Sequence, residues 1–125
     1  MALDMNGMRE MQQTLQARYA SWWEPIDPEH GKNKILWMIA ELGEAIQVVK
    51  RHPAEEIAQP GDVRHDFVEE MADVLMYFND ILLCYGSEPE EFEQVYLAKH
   101  ERNMTRWKKP GEATGNISST VESDE

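Results

Sequence analysis

Two carboxylate couplets, Glu41-x-x-Glu44 and Glu70-x-x-Asp73, sit inside apolar runs with helical periodicity. Residues three apart on a helix share a face, so each couplet projects two acids side by side from a segment that otherwise reads as core. Four carboxylates facing one space repel one another, and a cation resolves that repulsion. Ligation by oxygen alone selects a hard metal, Mg2+ first and Mn2+ second. Zinc is disfavoured, because Cys84 is the only cysteine and no two histidines have ligand spacing. One couplet by itself is usually solvated surface. Two of them, bordering apolar stripes on consecutive helices, point to a metal.

The elements that must position these acids follow from periodicity and breakers. Met8, Met11, Leu15, Tyr19 and Trp22 recur in steps of three or four, which predicts a first helix over 5–23. Pro25 and Pro28 end it. A second helix is expected from about Lys32 to Arg51, with a core stripe of Ile35, Met38, Leu42, Ile46 and Val49, widened by Ile39 and Ala45. Trp37, Glu41, Glu44, Val48 and Arg51 flank that stripe, so the acids border the buried face. His52-Pro53 breaks the helix and Pro60-Gly61 closes a ten-residue connection, 52–61.

Asp62 is the expected N-cap of a third helix reaching Tyr85, and Gly86 supplies its stop. Phe67, Met71, Val74 or Leu75, Phe78, Ile81 or Leu82, and Tyr85 form its expected core; Asp66, Glu70, Asp73, Tyr77 and Asp80 form a polar stripe beside it. Ser87-Glu88-Pro89-Glu90 has the capping-box pattern with proline in the first turn. It opens a fourth helix to about Lys109, with Phe92, Val95, Tyr96 and Trp107 inward. Four amphipathic helices on short connections predict an all-α four-helix bundle. The apolar faces of the second and third helices are wide for so small a protein, which predicts a homodimer or a dimer of dimers.

Bulk properties narrow the function. A chain of 125 residues makes one domain, expected over 1–109, with 110–125 an acidic tail too poor in apolar residues to order. The net charge of −12 argues against a nucleic-acid polymer, whose backbone needs basic surface. It leaves room for a small phosphorylated ligand held through a metal and a few bases. The longest apolar run, Ile35–Ala40, is too short for a membrane span. The opening MALDMNGMRE lacks a secretory pattern, and a lone cysteine fits a reducing compartment, so the expected location is cytoplasmic.

Taken together, Glu41-x-x-Glu44, twenty-five intervening residues, Glu70-x-x-Asp73, and then Lys99-x-x-x-Asn103-x-x-Arg106 resemble the MazG-like all-α nucleoside triphosphate pyrophosphohydrolases. The stretches NKILWMIAELGEAIQVVK and VEEMADVLMYF are similar to that family's two central helices, and the likeness runs from about Met8 to Trp107. The resemblance implies a four-helix fold of MazG type. It also implies Mg2+-dependent hydrolysis of a (deoxy)nucleoside triphosphate to the monophosphate and pyrophosphate, serving pool balance or removal of noncanonical nucleotides. Under it, Glu41, Glu44, Glu70 and Asp73 are metal ligands and catalytic acids, and Lys99, Asn103 and Arg106 grip phosphate.

The same resemblance sets Tyr77 against the sugar and Asn33 near the base. Trp37, with Trp22 and Trp23, is a candidate for stacking, although tryptophans at helix ends more often serve core or interface. Lys34 and His30 fit solvated positions better than a site. Where deoxycytidine triphosphatases carry an aromatic after the second helix's acids, this chain has Gln47-Val48-Val49-Lys50-Arg51. Asn103-x-x-Arg106 also resembles the dimeric dUTPases, so the base stays open. Two alternatives remain: a pyrophosphohydrolase of a phosphoribosyl nucleotide, and a non-catalytic, metal-binding helical dimer acting as an interaction module.

Overall fold

The computed structural model describes residues 2–107; the predicted tail, 110–125, and the helix end expected near Lys109 lie outside the described residues. Among the described residues the fold is all-α, with helices α1 (Met5–Arg18), α2 (Gly31–Arg51), α3 (Ala54–Ala58), α4 (Asp62–Cys84) and α5 (Pro89–Arg106), and a 3-10 turn at Pro28–His30. The chain divides into two compact units, Met1–Pro89 and Glu90–Glu125. The first holds α1 to α4, and α5 is the described part of the second. No helix among the described residues is long and apolar enough to cross a membrane.

Local chemistry sets the helix ends. Asp4 caps α1, its Oδ1 accepting from the Gly7 N–H at 2.8 Å. The helix stops at Arg18, one turn before the predicted end. Residues 19–23 instead form a turn in which the Trp22 and Trp23 N–H groups donate to the Tyr19 carbonyl at 2.9 Å, and Tyr19 stacks on Trp23 with ring centroids 4.7 Å apart. Downstream, Asp27 caps the 3-10 turn, accepting from the His30 N–H at 3.0 Å and contacting its Nδ1 at 2.6 Å.

Pro53 forces His52 into extended backbone (φ −137°, ψ 149°), which ends α2. The connection to α4 is not plain loop, because α3 forms behind Pro53 with Glu55 and Glu56 in its first turn, where the helix dipole favours acids. Gly61, at φ 151°, takes the capping position predicted for Asp62, and Asp62 is the first helical residue of α4. Gly86, at φ 74°, turns the chain out of α4 as predicted.

α4 is the helix against which α1, α2 and α3 all pack. It runs antiparallel to α2: Gly31 meets the Tyr85 ring, Trp37 faces Tyr77 with centroids 6.2 Å apart, and Glu41 meets Glu70 and Asp73. α1 is tied to α4 by polar contacts. Gln12 Nε2 donates to Asp80 Oδ1 at 2.9 Å, and Asn79 Nδ2 donates to the Leu75 carbonyl at 3.0 Å and approaches Met8 Sδ at 3.7 Å. Arg9 donates to the Ser87 carbonyl and pairs with Glu88 at 3.4 Å.

The predicted core stripes are corrected by this packing. On α2 the sheltered positions are Gly31, Lys34, Met38, Glu41, Ala45 and Val48, a run in alternating steps of three and four. The α4 face opposite is Val63, Phe67, Glu70, Val74, Tyr77, Ile81 and Cys84. The predicted α2 stripe is largely left outside: Ile35, Leu42, Ile46 and Val49 are all exposed, Ile46 by 52%. On α4, Met71, Leu75 and Tyr85 are exposed, while Phe67, Val74, Phe78, Ile81 and Leu82 of the predicted stripe are sheltered; Met11 on α1 and Trp22 in the turn after it are exposed as well. On α2 two stripes compete, and the intramolecular seam takes the one carrying Lys34, Glu41 and Ala45. On α5, Val95, Tyr96 and Trp107 are exposed against expectation, while Phe92 is partly sheltered.

Candidate functional site

The α2–α4 seam brings one couplet against the other. Glu41, Glu70 and Asp73 each offer a carboxylate oxygen, and the three oxygens lie within 4.8 Å of one another. Antiparallel packing produces this, because Glu41 on α2 falls opposite the turn of α4 that holds Glu70 and Asp73. Glu44, the fourth predicted ligand, is exposed and lies outside the trio, though its charge still reaches Glu41. Glu69, next to Glu70 in the chain, lies outside the trio: it is exposed and meets His65 at 3.7 Å.

The electrostatics of the trio are those of crowded like charges. Desolvation raises the pKa of Glu41, a hydrogen-bond contact with Glu70 raises it further, and the charges of Asp73, Glu70 and Glu44 add to the effect. Such a group of hard oxygen donors suits a divalent cation such as Mg2+ or Mn2+, which would relieve the repulsion.

Glu41 and Asp73 also line a cavity of about 590 Å3 between α1, α2 and α4. Trp22, Trp23, Trp37 and Tyr77 give it aromatic walls, and Gln12, Gln16, Lys34 and Asp80 line its polar part. Burial raises the Tyr77 pKa, as do the charges of Glu41, Asp80 and Asp73, so its hydroxyl stays a donor. Burial likewise raises Asp80, opposed by hydrogen bonds from Gln12 and Gln16 and by the charge of Lys34.

Of the predicted base and sugar contacts, Trp37 and Tyr77 face this cavity. Asn33 is absent from its lining; its Nδ2 donates to both oxygens of Glu24, at 3.0 and 3.2 Å, and so braces a lining residue. Lys34 departs from its expected solvated role. Only 2% exposed, it holds its ammonium 4.9 Å from the centre of the Trp37 ring. His30 keeps the bland role, bonded to Asp27.

Lys99, Asn103 and Arg106 are all partly exposed along one face of α5, in the second unit. The Arg106 guanidinium lies 3.8 Å from the centre of the Trp107 ring.

Sequence reasoning placed Asp80 on the polar stripe of α4 without giving it a role, and passed over Gln12 and Gln16. Asp80 carried one available signal: it continues the Asp73–Tyr77 stripe by one more turn. The two glutamines carried none, because nothing in α1 announces which face meets α4. No family model matches this chain, and no curated protein or solved structure matches it either.

Proposed function

We propose that this protein is a Mg2+-dependent nucleoside triphosphate pyrophosphohydrolase of MazG-like type, converting a (deoxy)nucleoside triphosphate to the monophosphate and pyrophosphate. The observation that carries the reading is the convergence of Glu41, Glu70 and Asp73, two of which, Glu41 and Asp73, line an aromatic-walled cavity. Acid oxygens at one part of a pocket suit a cation-bound phosphate chain, and flat aromatic walls suit a base and sugar.

Glu41, Glu70 and Asp73 would hold the metal, with Glu44 near enough to contribute charge. Bound there, Mg2+ supplies charge neutralisation of the triphosphate and a lowered pKa for water. In the reaction, a water oxygen bonds to the α-phosphorus, the bond from that phosphorus to the α–β bridging oxygen breaks, and pyrophosphate leaves. A carboxylate of the trio takes the proton from the water. Tyr77, kept protonated, can donate to the sugar, and Trp37 presents a ring to the base. Lys99, Asn103 and Arg106 are assigned to the phosphates on motif resemblance and their shared face.

The same reading includes a homodimer. A broad apolar face formed by Ile35, Ile39, Leu42, Ile46 and Val49 is exposed on α2, beyond what scattered surface residues explain. A second copy covering it would bury the surplus. Sedimentation should give twice the chain mass for the wild type, and Ile46→Glu should shift it to the monomer.

The decisive assay is pyrophosphate release from a panel of nucleoside triphosphates with Mg2+. Wild type should release it, and Asp73→Asn should not, while keeping its helical circular dichroism. Release of orthophosphate alone, or activity undiminished in Asp73→Asn, would refute the assignment.

A further inference from the structure

The cavity carries a second polar pair that the hydrolysis chemistry does not use. Lys34 lies seven residues before Glu41 on α2, and Asp80 lies seven after Asp73 on α4. Because the helices are antiparallel, both displacements run the same way, two turns or roughly 10 Å along the seam. That is about the reach of a nucleoside from its 5′ oxygen to the far edge of its base. The acids and this pair therefore stand at the two ends of a nucleoside-sized space, with Trp37 and Tyr77 between them.

Both members are built in. Lys34 is 2% exposed and Asp80 4%. Gln12 holds Asp80 Oδ1 at 2.9 Å and Gln16 also bonds the carboxylate, which fixes it; a carboxylate has about four acceptor sites, so the two glutamines leave capacity for a ligand. No described carboxylate lies within ion-pairing distance of the Lys34 ammonium. A charge so deeply placed is costly unless something pairs with it, and this one lines the cavity.

Resting on the nucleotide reading above, we propose that Lys34 and Asp80 read the base, and that they select a lactam edge, a ring N–H beside a carbonyl. Uracil, thymine, guanine and hypoxanthine present that edge. Asp80 accepts from the ring N–H, and Lys34 donates to the neighbouring carbonyl oxygen. In that same register cytosine and adenine present the reverse pattern, a bare ring nitrogen to the Asp80 carboxylate and an amine to the Lys34 ammonium, so both groups meet a like partner. A polar pocket left unmatched discriminates strongly, since its buried groups lose partners.

The test is calorimetric binding of nucleoside 5′-monophosphates to the full chain with Mg2+, a readout independent of turnover. The dUMP and dTMP arm and the dGMP and dIMP arm distinguish a pyrimidine from a purine source of the edge. At least one arm should bind about tenfold or more tightly than dCMP and dAMP. Asp80→Asn and Lys34→Gln should each erase that ranking while Mn2+ binding at the acid trio persists. Preference for dCMP or dAMP, equal binding of all, no binding of any, or a ranking unchanged in both variants would overturn the proposal. Should a variant fail to fold, the wild-type ranking alone decides. A lactam ranking without pyrophosphate release from any triphosphate would sink the hydrolase reading and leave this one standing. Pyrophosphate release with a different ranking does the reverse.

Discussion

Gln12 Nε2 donates to Asp80 Oδ1 at 2.9 Å, with both side chains buried between α1 and α4. Gln16, one turn further along α1, bonds the same carboxylate, so the two glutamines together hold α1 over the cavity. Gln12→Ala removes the donor and strips a buried carboxylate of a partner. The expected loss is about 1–3 kcal/mol of unfolding free energy, read from the denaturation midpoint in urea. An unchanged midpoint would mean that the Gln16 contact by itself satisfies the carboxylate.

The acid trio makes stability depend on pH in a defined direction. Glu41 is held above its ordinary value of 4.5, chiefly by desolvation and then by the Glu70 contact and neighbouring charges. The folded state therefore binds the Glu41 proton more tightly than the unfolded chain does. Stability is greatest below pH 4.5 as far as this group is concerned, and falls as pH rises through the raised pKa. Asp80, raised from 3.8 by burial, acts with the same sign. Thermal melts in chelator should show this decline, and Glu41→Gln should make it shallower. Mg2+ at neutral pH should raise the wild-type Tm by binding only the folded state.

Gly31 lies in close approach to the Tyr85 side chain. A Cβ at this position would run into the Tyr85 ring, because α2 begins where α4 ends. Gly31→Ala should destabilise by roughly 1–3 kcal/mol through overpacking, and Tyr85→Ala in the same chain should recover part of that loss. A double variant no more stable than Gly31→Ala alone would place the conflict elsewhere.

On α5, the face bearing Lys99 and Arg106 is tested by kinetics. Lys99→Ala and Arg106→Ala should each raise KM for the preferred triphosphate about ten- to hundredfold, the worth of one charge-assisted hydrogen bond. A fall in kcat as well would show that the contact tightens in the transition state. Unaltered kinetics in both variants would return these residues to an ordinary solvated helix face.

Much of this molecule was legible in residue order alone. Proline and glycine, at Pro53 and Gly86, end helices by fixed dihedral and steric rules that need no tertiary partner. The pairing of Glu70 with Asp73 on one face follows from 3.6 residues per turn. That Glu41 would meet them required only a short connection and antiparallel helices. Which stripe each helix buries was decided by tertiary structure. On α2, the Ile35–Leu42–Ile46–Val49 stripe is more apolar than the Lys34–Glu41–Ala45 stripe, so periodicity favoured the wrong face. Packing instead turned Lys34 and Asp80 inward at one end of the cavity and Glu41 toward Glu70 and Asp73 at the other, and left the more apolar stripe of α2 outside. The depth of Lys34 and the grip of Gln12 on Asp80 depend on three helices meeting at one place, a relation between distant positions that no local spacing encodes.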